Sequence, residues 1–337
     1  MLPVPGLLRE FGVEPAGLLA TVGLQEKQFD DPENRIIFDA MGHLLQACVV
    51  ATQCPHFGLL IGQRFSPTWL GINFYLMRNA FTLREALQSF ELHHHLHERG
   101  AVLYVAAQSA KEVTFGYGVH HSGGFDSVPV YEAALAIGVA IFRSICGLDW
   151  QPVRVTFTHD RPADVAPYKR CFRVPVQFNA AHAAIVFSTR TLDEPIKDRD
   201  PVLHSLLLQL VTRREASQQR SFVESVRRAL RSMVVSGSVS GDQVVRLFAR
   251  NRRALHRQLQ VEGTNLRTLL NEARCEVARQ FLKESNKSIG DIAALLNYAD
   301  ATAFSRAFHG WAGMSPRAWR SRQNGGRKAT RRSRLPA

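Results

Sequence analysis

Cysteine is scarce in this chain and unpatterned. Cys48, Cys54, Cys146, Cys171 and Cys275 are odd in number, and no two are spaced C-x-x-C. That excludes a disulfide framework and a structural zinc site. Long apolar runs are missing too. The longest uncharged stretch, residues 40–63, is interrupted by Gly42, His43, Gln46, Gln53, Pro55 and His56, so it reads as buried helix and turn and not as a membrane span. The apolar run from Ala133 meets Arg143 after ten residues. Met1 to Glu10 lacks the charged n-region and apolar run of a signal peptide, so a cytoplasmic location without membrane contact is expected. G-x-S-x-G, G-x-x-x-x-G-K and the dinucleotide fingerprint are all absent. No catalytic residue, metal or cofactor is assigned, and no enzyme is expected.

What the chain does have is room and charge. Its 337 residues suffice for two domains, and with 45% hydrophobic residues it can build real cores. The net charge of +13 is unevenly placed. Residues 1–212 hold 17 Lys and Arg against 20 Asp and Glu, whereas residues 213–337 hold 25 against 9. A near-neutral half joined to a strongly basic half suggests one domain for a neutral task and one for a polyanion.

Periodicity divides the chain the same way. Short amphipathic pieces punctuated by glycine fill residues 1–30. Helical spacing follows over 35–52, 55–65 and 82–98, with Leu83, Leu87, Phe90 and His94 on one stripe. Residues 101–107 and 112–119 are rich in Val, Tyr and Phe and read as a β-hairpin. A helix over 129–147, a strand over 153–157, a short helix over 162–171, a strand over 184–187 and an amphipathic helix over 201–219 complete an α+β domain, residues 1–215. Beyond a polar junction at 215–222 there is almost no strand signal. Residues 222–322 form an all-α domain, and the basic tail 323–337 is expected to be disordered.

The all-α domain contains two helix-turn-helix patterns. In the second, Ser288 caps a helix, with Asp291 as its capping-box partner. Ile289, Ile292, Ala293 and Leu296 form its stripe, Asn297-Tyr298-Ala299 the turn, and Asp300 caps the next helix. Phe304, Ala307, Phe308 and Trp311 face inward there, and Gly313 and Pro316 end it. Its outward residues are Ala301, Thr302, Ser305, Arg306 and His309, none acidic. Such a helix fits the major groove with its N-terminal residues at base edges. In the first pattern Ser240 and Gln243 form the cap, Val244, Leu247 and Phe248 are buried, and Asn251 caps a helix anchored by Leu255 and Leu259. Its open face carries Arg252, Arg253, His256 and Arg257. Between the two patterns runs a helix over 266–283, long enough at ~1.5 Å per residue to span ~27 Å. A B-DNA turn is ~34 Å, so one chain could read two adjacent sub-sites without dimerising.

These residues carry a resemblance. Residues 222–322 are similar to the DNA-binding domain of the AraC/XylS family of bacterial transcription regulators, through Arg253-Ala254-Leu255-His256-Arg257-Gln258-Leu259, Glu262-Gly263-Thr264, and Ile292-Ala293 to Leu296-Asn297-Tyr298. Ala303-Phe304-Ser305-Arg306-Ala307-Phe308 to Trp311 and Gly313-Met314-Ser315-Pro316 complete the match. The resemblance implies double-stranded DNA as partner, base contacts from Arg253, His256, Arg257, Ala301, Thr302, Ser305 and Arg306, and activation through RNA polymerase. Asn297 stands where the family usually has Gly; an αL turn tolerates Asn. Val245 stands where Ala is favoured.

Residues 6–205 resemble the arabinose-binding-like effector domain found in regulators similar to the ornithine-utilisation regulator. The matching residues are Phe157-Thr158-His159 to Pro162-Ala163-Asp164, Tyr168, Phe172 and Val174-Pro175-Val176-Gln177-Phe178. A small-molecule effector is implied, and its pocket residues are unknown. The alternation of helices and strands is unlike an all-β sugar-binding barrel, so arabinose is not inferred. His93, His94, His95 and His97 are read as a polar helix face, since adjacent residues cannot converge on one ion. His120-His121 reads as a strand end and His159-Asp160 as the cap of a turn. The 201–219 helix could serve homodimerisation, coupling, or simple packing. The alternative to a ligand-responsive activator is a ligand-independent architectural protein or repressor. An alkyl-transfer repair enzyme would need an activated thiolate, and no cysteine here has a pattern suggesting one.

Overall fold

The computed structural model describes residues 3–32, 34–98, 100–107, 109–119, 124–217, 222–235, 244, 245, 248, 251–284 and 287–322. Two compact units make up the chain, Met1–Gln219 and Arg220–Ala337. Ser240, Gln243, Leu247, His120-His121 and the tail 323–337 lie outside the described residues.

The first unit is α+β, as its periodicity predicts. Its sheet contains β1 (Ala101–Ala107), β2 (Glu112–Val119), β3 (Arg154–Thr156), β4 (Val176–Gln177) and β5 (Ala183–Ser188), in the order β1-β2-β5-β3-β4. All pairings are antiparallel except β3 with β4. The hairpin register sets Leu103 opposite Tyr117 and Val105 opposite Phe115. β4 is two residues long, too short to carry an alternation, and the sequence gives no sign of it. Arg154 on β3 grips both oxygens of Glu112 on β2, at 2.9 Å each. The central helix, Val128–Cys146, is apolar and long enough to cross a membrane, yet 67% of that stretch is buried inside the unit. Its Phe142 ring meets Phe115 at 5.2 Å, Trp150 at 5.1 Å and Phe187 at 5.5 Å. Arg143, which interrupts the apolar run, donates to the carbonyls of Trp150 at 3.4 Å and Phe172 at 3.1 Å.

The helix Phe57–Arg64 packs directly on this central helix. The approach is possible because two of its residues lack Cβ. A Cβ at Gly62 would lie 2.2 Å from that of Ala136, and one at Gly58 would lie 2.2 Å from the Pro129 carbonyl.

Two expectations fail in this unit. The helix Pro201–Ser217 is not amphipathic. Val202, Leu203, Leu206, Leu208 and Leu210 are exposed, while Val211 is buried with Leu76 and Leu96. Apolar residues occur on several sides of the helix, so the packing takes only one of them. Nor do His93 and His94 lie on an open polar face. The α-helix ends at His93 and a 3-10 turn takes His94–Leu96. His93 and His94 are buried, with His94 Nε2 at 3.0 Å from the Ala101 carbonyl. Among the described residues no group of three His, Cys, Asp or Glu is placed to hold a metal.

The second unit is helical. Phe222–Val235 lies along Leu266–Glu284. Arg227 and Arg231, one turn apart, pair with Glu272 and Glu276, also one turn apart. Leu269, Ala273, Cys275, Val277, Ala278 and Leu282 of the long helix are buried.

Candidate nucleic-acid interface and effector cavity

In the first helix-turn-helix pattern, Val244 is buried and the Phe248 ring lies 6.0 Å from that of Phe222. Asn251 caps the next helix, Arg252–Val261, its Oδ1 accepting from the Ala254 amide at 2.8 Å. Leu255 and Leu259 are fully buried, which turns Arg252, Arg253, His256 and Arg257 outward, and all four are exposed. At 100° per residue they cover an arc of about 140°.

The second pattern is described throughout. Ser288 and Asp291 form a reciprocal capping box, each accepting from the other's amide at 3.1 Å. The Ser288 hydroxyl also donates to the Asp291 carboxylate at 2.7 Å, and that bond, with the one from the Ser288 amide, holds the Asp291 carboxyl below the usual carboxylate range. Asn297 sits at φ 58°, the left-handed turn position that its side chain tolerates. Asp300 Oδ1 then accepts from the Ala303 amide at 2.7 Å and starts Ala301–Ala312. Phe304 and Phe308 are fully buried, while Ala307 and Trp311 are half-buried. Tyr298 packs between Phe304 at 5.6 Å and Trp311 at 6.2 Å, with the Arg274 guanidinium over its ring at 5.5 Å.

Thr302, Arg306 and His309 are exposed on one face, while Ala301 and Ser305 are half-buried. The Ser305 hydroxyl donates to the Ala301 carbonyl at 2.7 Å, leaving its lone pairs for an outside donor. Gly313, at φ 68°, ends the helix. Pro316 does more than stop the chain. It opens a further helix over 316–322, not anticipated from the sequence, whose Trp319 meets Phe308 at 6.2 Å and whose Arg320 donates to the Leu282 carbonyl at 3.3 Å.

The electrostatics of this unit follow from where its acids go. Glu224 and Glu272 pair with Arg227, and Glu276 pairs with Arg231. Glu262 accepts from the Phe222 amide, and Asp291 and Asp300 are caps. Each of these six acids is thus committed internally. The nine candidate residues occupy two helix faces without a carboxylate among them, which suits a polyanion.

The first unit holds a cavity of about 750 Å³, within the usual range for small-molecule sites. Met41, Trp69, Met77, Phe90, Ile137 and Phe142 are among its apolar walls, and Arg35, Asn73, His94, His97 and Glu98 give it polarity. Glu98 accepts from the Tyr117 hydroxyl at 2.6 Å, and burial pushes its carboxyl up to about 7 against that hydrogen bond. Asn73 is 2% exposed, and its side-chain oxygen has no hydrogen-bond partner.

None of these lining residues was legible as a pocket. They come from several elements distant in sequence, and only the fold brings them together. A separate buried acid, Glu132 on the central helix, takes a hydrogen bond from Tyr168, and burial raises its carboxyl to about 8. A lone acid at the head of an apolar helix is the signal that could have found it.

His159, read as a turn cap, bonds the Asp160 carbonyl at 2.8 Å. Its ring also belongs to an aromatic cluster with Phe157, Tyr168 and Phe178. The five thiols are free, and burial raises all of them, Cys48 and Cys146 to about 12 and Cys171 to about 11. That is the opposite of an activated nucleophile.

Comparison with known proteins agrees with both units. A family described as the arabinose-binding N-terminal domain of AraC transcription regulator matches residues 12–196. A helix-turn-helix domain family matches residues 244–322. The HTH-type transcriptional regulator VirS of Mycobacterium tuberculosis is 24% identical over 316 residues, covering 94% of this chain and 93% of its own. The ornithine utilization regulator of Pseudomonas aeruginosa is 25% identical, covering 93% of each. The activator RhaS of Shigella boydii is 38% identical over 88 residues, 26% of this chain and 32% of its own. The crystal structure of the transcriptional regulator CdpR from Pseudomonas aeruginosa aligns with a TM-score of 0.46 at 22% identity, covering 90% of this chain and 96% of that one.

Proposed function

Because this chain belongs to the AraC family of transcription regulators, we propose that it grips promoter DNA through both helix-turn-helix units and is switched by a small molecule held in the cavity of its first unit. The chain is a DNA-binding transcription regulator with an N-terminal ligand-binding domain. The observation that carries the finer reading is the pair of capped, acid-free helix faces. Arg253, His256 and Arg257 with Arg252 make a charge-driven contact to guanine edges and phosphate. Ala301, Thr302, Ser305 and Arg306, with His309 further along, make a more polar one.

The effector acts by binding one of two states of the chain more tightly, so that ligand affinity and DNA affinity are coupled. The output is activation by contact with RNA polymerase in the cytoplasm, on the nucleoid. Two copies pair where a promoter carries two sites. A cavity of about 750 Å³ is what favours this over a ligand-independent architectural protein. The raised thiols disfavour an alkyl-transfer enzyme.

The test is selection of bound duplexes from a random-sequence pool by the full-length chain at moderate salt. One extended motif is expected to emerge. Arg253→Ala should relax one part of it and Arg306→Ala another. A pool that remains random would refute sequence reading.

A further inference from the structure

We propose that the first unit carries a second ligand site, a cleft beside β4 that takes a compact organic dianion, a phosphate monoester or a dicarboxylate on an apolar body. The cleft shares no lining residue with the larger cavity, so the proposal stands apart from the reading of that cavity as the effector site.

The cleft encloses about 450 Å³, room for a small ring and its head group. Arg161, Lys169 and Arg173 line it, and no carboxylate is among its described lining residues. All three cations are exposed, and none has an acid partner among the described residues. Other arginines of the unit are answered, Arg64 by Glu10, Arg84 by Asp193 and Arg154 by Glu112. The half-buried Val165, Val174, Val176 and Phe178 give the cleft an apolar floor. Charge of one sign over such a floor suits an anion with an apolar body.

The needs of the fold do not use up these charges. Basic residues in a last turn commonly answer a helix C-terminus. At the end of the helix Ala166–Phe172 that task falls to Arg143, which donates to the Phe172 carbonyl at 3.1 Å. Lys169 and Arg173 are left over. They lie four residues apart, with the Arg173 amide bonded to the Lys169 carbonyl at 2.9 Å, a spacing at which like charges repel. Arg173 also holds a left-handed φ of 60°, which costs a residue with a side chain. The repulsion reaches Arg143, whose guanidinium is lowered by burial first and by the charge of Arg173 second. Cations can guard a sheet edge against pairing, but β4, at two residues, offers little ladder to guard. An anion among the three relieves the repulsion, and a dianion relieves it more than a monoanion.

The test titrates the full-length protein calorimetrically at about pH 7.5, where a phosphate monoester is a dianion, with phenyl phosphate, phthalate, benzoate and benzyl alcohol. The better of the two dianions should bind about tenfold more tightly than benzoate, with benzyl alcohol weakest; whichever dianion leads names the head group. Inorganic phosphate should bind more weakly than phenyl phosphate, for want of an apolar body. Arg173→Asn, which keeps the left-handed turn, combined with Lys169→Gln should weaken the leading dianion about tenfold or more. Arg161→Gln, from the loop before the helix, should weaken it about threefold or more and gives an independent reading. Arg190→Gln, on the same unit outside the cleft, and Arg306→Ala, on the second unit, should leave it within about twofold. Unliganded melting temperatures report that the variants fold. Benzoate binding as tightly as both dianions would overturn the assignment. So would a dianion affinity that survives the cleft substitutions, the result expected of cations that only guard the edge of β4, or one that falls as far with Arg190→Gln or Arg306→Ala. Inorganic phosphate binding as tightly as phenyl phosphate would overturn the apolar body.

Discussion

Glu132 offers a sharp test of how the first unit is built. It is fully buried on the central helix, accepts from the Tyr168 hydroxyl, and has its carboxyl raised by burial to about 8. In the unfolded chain a glutamate titrates at about 4.3. Between these values the folded chain keeps the proton and the unfolded chain does not. Folding stability therefore falls as pH rises through the window, by about 1.4 kcal/mol per pH unit from this group. From pH 5 to pH 7 the loss is about 2.7 kcal/mol. Glu98, raised to about 7 by burial, adds a slope of the same sign. The half-buried His56 and His159, both lowered by desolvation, oppose it. The unaltered chain alone is therefore not diagnostic.

The difference from Glu132→Gln isolates the one group, because the glutamine carbonyl can still accept from Tyr168. Chemical denaturation of both proteins from pH 5 to pH 7, following the transition of the first unit, should show the variant gaining about 2 to 3 kcal/mol relative to the parent across that range. Parallel profiles would mean that Glu132 is ionised in the fold, and the buried neutral acid would be refuted.

Three further outcomes are expected in the second unit. Arg306→Ala should weaken specific DNA binding by about 1–3 kcal/mol, read by fluorescence anisotropy on a selected duplex; unchanged affinity would misplace the second recognition helix. Asp300→Ala removes the hydrogen bond to the Ala303 amide and should destabilise the unit by about 1 kcal/mol in denaturant, with Asp300→Asn close to the parent. Gly313→Ala, at a position with φ 68°, should cost about 1 kcal/mol by the same assay.

The helical unit was legible because its signals are local. Ser288, Asn251 and Asp300 cap the helices they were expected to cap, and the spacing of Phe304 and Phe308 names its own buried face. The hairpin Ala101–Ala107 with Glu112–Val119 was legible for the same reason. The cavity was not. Asn73 follows a 3-10 turn, Glu98 follows the histidines, and Ala134 lies mid-helix, so their convergence is a property of long-range packing. The helix Pro201–Ser217 was misread because its many leucines suggest a stripe, whereas the unit takes up little beyond Val211. Pro316 was read as a stop although proline is equally at home in the first turn of a helix, which is where the chain uses it.

The central claim is that one chain presents two recognition helices to successive major grooves. Hydroxyl-radical footprinting of the full-length protein on a selected duplex tests it most directly. Two protected patches about one helical turn apart on one face, each lost separately with Arg253→Ala or Arg306→Ala, are expected. A single patch abolished equally by both substitutions would contradict it.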